Sequence, residues 1–142
     1  MAGRVDPFKS HLFLVEIDGI TQASFSECSG FSSHVEVIEY REGGDPNTVR
    51  KLPGKISYQD ITLKRGLTSS SELYDWHMSA VNPPIQRKSG SVIVLDDTLA
   101  EQVRWNFSNG WISKWDGPSL SGKGNDVAIE TMTITCERLQ RA

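Results

Sequence analysis

The stretch from Lys55 to Val81, KISYQDITLKRGLTSSSELYDWHMSAV, constrains the fold most, because it holds the one convincing helical pattern in the chain. From Leu73, the apolar residues Trp76, Ala80 and Val81 recur at i+3, i+7 and i+8, and Tyr74 and Met78 widen the stripe. Glu72, Asp75 and Ser79 share the opposite face. Ser69 and Glu72 have the spacing of a capping box, in which each side chain satisfies a backbone N–H left without a partner at the helix start. Pro83 and Pro84 then stop the helix. A helix of about three turns cannot bury such a stripe alone, so it must lie across a sheet made by the strands around it. The expected class is mainly β, with one flanking α-helix.

The remaining segments read as strands and turns. His11 to Ile17 is the first strand, and Asp18-Gly19 has the composition of a two-residue hairpin turn, returning the chain antiparallel through residues 20–28. A third strand runs from about 34 to 42. Lys55 to Arg65 is a fourth, and between the two lies Gly43 to Gly54, GGDPNTVRKLPG, a polar connection too long for a tight hairpin. Loops of that kind are commonly functional, which makes it the first place to look for a contact surface. Ser91 to Leu95 and Val103 to Ser108 are further strands, with a turn at Asp96 to Ala100. Asn109-Gly110 signals another turn before the strand Trp111 to Trp115, a Gly-rich loop follows at Asp116 to Asp126, and the last strand spans Val127 to Leu139. Met1 to Ser10 lacks periodicity and reads as an arm.

Three strands change step. Val35 and Val37 give way to Ile38 and Tyr40; Ile56 and Tyr58 to Ile61 and Leu63; Val127 and Ile129 to Met132, Ile134 and Cys136. Such a slip marks a β-bulge, a strand passing from one packed surface to another, or a strand whose two faces are both buried, one of them by a neighbouring subunit.

At 142 residues the chain fits a single domain, 1–142, with room for a hydrophobic core. A net charge of −3, from 15 Lys and Arg against 18 Asp and Glu, leaves no basic footprint for a phosphate backbone. No wholly apolar run is longer than that from Leu12 to Val15, which is far short of a membrane span, and with no leader before it the expectation is a soluble protein made in the cytoplasm. Cys28 and Cys136 lack metal-ligand or redox spacing and read as free thiols. Gly117 to Lys123 matches the G-x-x-x-x-G-K of a phosphate loop, but Gly124 replaces the magnesium-binding hydroxyl and a strand, not a helix, follows. His11, His34 and His77 have no paired ligand spacing. No catalytic residue, cofactor or metal is nominated. The alternative to a purely structural role is a monomeric β-rich ligand-binding domain that stacks bases or sugars on Trp105, Trp111 and Trp115.

The segments DPFKSHLFLVEIDGI (6–20), ASFSECSGF (23–31), EYREGGDPNTVRKLPG (39–54), DITLKRGLTSSSELYDWH (60–77) and SNGWISKWDGPSLSGKGNDVAIETMTITCERL (108–139) resemble the tail-tube proteins of contractile phages. The nearest branch includes the inner-tube subunits of phage-tail-like particles and extracellular contractile injection systems. That resemblance implies a β-sandwich or partial barrel with a flanking helix, related to the haemolysin-coregulated protein of type VI secretion. It implies six copies in a ring, and rings stacked into a rigid tube inside a contractile sheath. Sheath, baseplate and tube-terminating proteins would be the partners, and the lumen would hold cargo or DNA without sequence-specific binding. In the family the extension corresponding to 43–54 reaches a neighbouring subunit or ring, which nominates Asp45, Arg50 and Lys51 for inter-subunit contacts.

Overall fold

The computed structural model describes residues 12–18, 25–41, 43–44, 48–81, 86–124 and 127–142. In chain order these form β1 (Phe13–Ile17), β2 (Glu27–Ser29), β3 (Ser33–Arg41), β4 (Val49–Tyr58), β5 (Ile61–Gly66), α1 (Glu72–Met78), β6 (Lys88–Leu95), β7 (Glu101–Asp116), β8 (Ile129–Thr135) and β9 (Arg138–Arg141). All strand pairings are antiparallel.

The 16-residue β7 is the spine. Its first half pairs with β6 and β9, its second half with β8, and the sheet continues from β6 to β1 and from β8 through β5 to β2. One strand thus serves two sheet halves, a partial sandwich that does not close into a barrel among the described residues. The Asn109-Gly110 signal makes no hairpin. Asn109 takes φ 54° inside a continuous strand, and the register shifts again between Ile112 and Lys114. Asn tolerates the left-handed region, so a sequence suited to a turn here bends a strand instead.

Between the sheet halves lies the core: Val15, Ile17, Ile61, Leu63, Val92, Phe107, Ile112, Met132, Ile134 and Leu139, with Leu73 and Trp76 from α1. Gly90 permits a close approach of β6 to its neighbours, since a Cβ there would stand 2.4 Å from the Glu16 carbonyl oxygen and 2.6 Å from Phe107.

The helix is shorter than its apolar stripe suggested, and it lacks the capping box. Ser71 is the N-cap and makes no side-chain bond to the helix backbone; its hydroxyl donates instead to Asp75 Oδ2 at 3.2 Å. Leu73 and Trp76 are buried as the spacing requires, whereas Val81 is exposed. Burial of the two side chains contributes on the order of 2 kcal/mol each. Trp76 Nε1–H donates to the Gln86 carbonyl at 2.7 Å, and the His77 Nδ1–H to the Ile112 carbonyl at 2.7 Å, which fixes α1 to the second half of β7.

Two expected pairings change. β1 pairs with β6 and β2 with β5, so the first strand and residues 27–29 are not hairpin partners; Gly19 lies outside the described residues. The expected last strand breaks at Cys136 and Glu137, and β9 turns back onto the first half of β7.

Candidate assembly interface

Residues 49–54 are not loop but part of β4, which pairs with β3 over most of both strands. The register opposes Val35 with Ile56, Val37 with Pro53, Ile38 with Leu52, Glu39 with Lys51 and Tyr40 with Arg50. Between the first two pairs β3 advances two residues and β4 three, so the bulge sits in β4, at Gly54 and Lys55. One face of this hairpin therefore carries Val35, Val37, Val49, Pro53, Ile56 and Tyr58. The other carries Ile38, Tyr40 and Leu52, with His34, Glu36 and Arg50.

All nine residues of β3 are exposed, as are eight of the ten of β4. Val37 is 58% exposed, and Val35, Ile38, Tyr40, Val49, Leu52 and Ile56 are also open. β3 and β4 form a separate two-stranded sheet, and their extensive contacts are with each other alone. An isolated hairpin with apolar residues on both faces is marginal in water and presents open edges that invite pairing. It is a surface that requires cover, and the slip from Val37 to Ile38 was its signal in the sequence: β3 contains no bulge, and both of its faces are apolar.

Of the nominated contact residues, Arg50 and Lys51 lie in β4, exposed and on opposite faces of the hairpin, opposing Tyr40 and Glu39. Asp45 lies outside the described residues. What the nomination missed is the apolar set between them.

The three Trp residues do not make one platform. Trp105 stacks on Phe31 with ring centroids 4.7 Å apart and packs against the core. The register shift after Ile112 turns Trp115 to the core side, where Tyr74 meets it edge-on at 5.5 Å and His77 stacks at 6.1 Å. Trp111, on the opposite face, carries the Arg87 guanidinium 4.6 Å from its ring centre. Each ring packs against a different neighbour, so the three do not form the shared stacking platform that the ligand-binding reading requires.

Cys28 and Cys136 are free. Burial pushes the Cys28 thiol up to about 12. Cys136 is also raised, by burial first and by the Asp60 charge second. No group of three or more His, Cys, Asp or Glu side chains suited to a metal occurs among the described residues. The Gly117 to Gly124 segment leads to no helix, as a phosphate loop would require; the next element is β8.

Residues 9–140 match the model of the T4-like virus tail tube protein gp19 family. A comparison with curated proteins finds no significant match. Among solved structures, a chain of the 6-fold symmetrised anti-feeding prophage (AFP) baseplate is similar with TM-score 0.85 and 23% identity, covering 98% of this chain and 97% of that one. A chain of the PVC sheath–tube complex, an extracellular contractile injection system in its extended state, gives 0.82 and 26%, covering 96% and 91%. Hcp1 from Flavobacterium johnsoniae shares the fold at 0.54 and 17%, covering 91% and 94%. With residues 9–140 matched by the family model, and with an uncovered two-sided hairpin, the chain belongs to the T4-like tail tube protein family, as a structural subunit of a tail tube.

Proposed function

We propose that this chain forms rings of six that stack into the rigid inner tube of a contractile injection particle. The observation that carries the reading is the β3–β4 hairpin, whose apolar residues are uncovered on both faces in a chain that belongs to a tube-forming family. Sheath, baseplate and tube-terminating proteins are the proposed partners; the similarity to chains in a sheath–tube complex and in a 6-fold baseplate supports that reading. Arg50 and Lys51 contribute polar contacts at the rim of the hairpin interface, and the subunit's role is mechanical rather than catalytic. Its destination is the assembled particle.

Mass photometry of the purified chain at micromolar concentration, with negative-stain imaging of the same sample, tests this. Rings of six or tubes built from them are expected. A stable monomer under these conditions would overturn the proposal.

A further inference from the structure

The hairpin is one half of an interface, and the same chain holds a surface that fits as the other half. Where the two sheet halves part, Phe13, Cys28, Phe31, Val92, Val94 and Trp105 line an apolar cavity of about 390 Å³, with Glu27 among its lining residues. Phe13, Phe31, Cys28 and Trp105 are only partly buried there.

The position of this cavity along the chain decides which hairpin can fill it. Phe31 lines it, and β3 begins at Ser33, so the hairpin is rooted at the edge of the cavity. Nine residues of strand carry the tip about 30 Å from that root. A chain of this length is on the order of 35 Å across when compact. The distal half of the hairpin, from Ile38 onward, thus stands about 17–26 Å from its root, half a subunit width or more from its own cavity, and an antiparallel pair of strands cannot fold back on its root. Ile38, Tyr40 and Leu52 are the distal apolar group of one face, contiguous through the Ile38–Leu52 pair, while Val49 lies on the other face. On the docking face the charged side chain beside the distal apolar group is Arg50, with Glu36 nearer the root, and the cavity rim carries Glu27, which pairs with Lys64 at 3.6 Å, so the match rests on apolar surface rather than on charge.

Resting on the tube reading above, we infer that Ile38, Tyr40 and Leu52 of one copy dock into the Phe13, Phe31, Val94 and Trp105 cavity of a second copy. The contact is head-to-tail: each subunit gives a tip and receives a tip at its root. Such a heterologous relation closes into a ring or continues as a helix, unless two copies exchange tips reciprocally and stop as a pair.

Placing p-benzoylphenylalanine at Tyr40 tests the docking, because its photochemistry attacks nearby C–H bonds whatever the state of the thiols. Tubes assembled from a mixture of isotopically light and heavy chains would be irradiated, digested and mapped. Cross-links from position 40 of one copy to peptides spanning 25–31 or 92–105 of another are expected, and the same photoprobe at Glu39, on the other face, should not reach them. Hydrogen exchange on the unsubstituted protein guards against a variant that fails to assemble. Residues 25–31 and 92–94 should gain protection on assembly together with β3 and β4. Tubes whose cross-links map elsewhere, or in which 25–31 and 92–94 exchange as in the free subunit, would overturn the docking and leave the tube reading standing. Absence of any ring or tube from the unsubstituted chain would overturn both.

Discussion

Glu130 takes a place that the alternation of β8 gives to an apolar side chain, in line with Met132 and Ile134 on the buried face. Arg65, directly opposite on β5, makes this tolerable: its Nε stands 2.6 Å from Glu130 Oε1, with the two side chains 2% and 5% exposed. The pair also explains why the last strand changed step in the sequence. Ile129 faces outward, the charge faces inward, and no bulge intervenes in the β5–β8 register. Removing one partner leaves a buried charge uncompensated, so Arg65→Ala or Glu130→Ala should each cost about 3–5 kcal/mol, whereas the apolar double replacement Arg65→Met with Glu130→Leu should be close to neutral. Urea unfolding of the unassembled subunit measures all three. A second residue-scale expectation concerns Asp96 in the β6–β7 turn. Its carboxylate accepts from the Thr98 hydroxyl, the Ala100 and Thr98 amides and Gln102 Nε2, and these bonds, the Thr98 hydroxyl foremost, hold its pKa below the ordinary carboxylate value. A depressed folded-state pKa contributes stability above the unfolded pKa and loses it as pH falls through the folded value. The stability gap between wild type and Asp96→Ala should therefore be present at neutral pH and close in strong acid; a gap that persists unchanged there would remove the carboxylate from the account.

At the scale of elements, the hairpin is separable from the fold. Apart from Tyr58 near its root, no residue of β3 or β4 belongs to the core or packs against it. Replacing the segment between Val37 and Pro53 by a tight Asn-Gly turn should thus leave the melting temperature of the subunit within a few degrees, while assembly fails. Circular dichroism and negative-stain imaging of the same preparation check both parts, and a large fall in melting temperature would show that the hairpin holds the core. This is also where sequence and structure part company. The helix, its two buried anchors Leu73 and Trp76, and the alternation of Val103 with Phe107 were legible because they depend on periods of 3.6 and 2 within one segment. The pairing of β1 with β6 was not, since the partner lies some 75 residues away and local turn chemistry pointed to a nearer strand. Three identical-looking slips had three causes: a two-sided arm in β3, a change of sheet at Gln59 and Asp60 between β4 and β5, and an ion pair in β8. Periodicity records that a face changes and is silent on what lies against it.

For the whole molecule, the consequence of a tip-to-root contact is that every subunit is both donor and acceptor, and a ring contains as many contacts as subunits. A chain with the hairpin removed keeps the cavity and loses the tip. It can accept a neighbour but cannot give, so each such chain in a ring leaves one interface empty. If one empty interface is enough to open a ring of six, the fraction of intact rings falls as the sixth power of the wild-type fraction. One truncated chain in ten would then leave about half of the rings closed, and one in four about a fifth. A truncated chain that lacked both functions would be excluded from rings and would only dilute the pool, giving a linear loss. Titrating the truncated chain into unassembled wild type and counting tubes by negative stain separates the two curves. A steep, sixth-power loss is expected, with truncated subunits recovered in short, open oligomers by mass photometry. A linear loss, with the truncated chain recovered as monomer, would place the acceptor surface on the hairpin itself and not in the cavity beside Phe31 and Trp105.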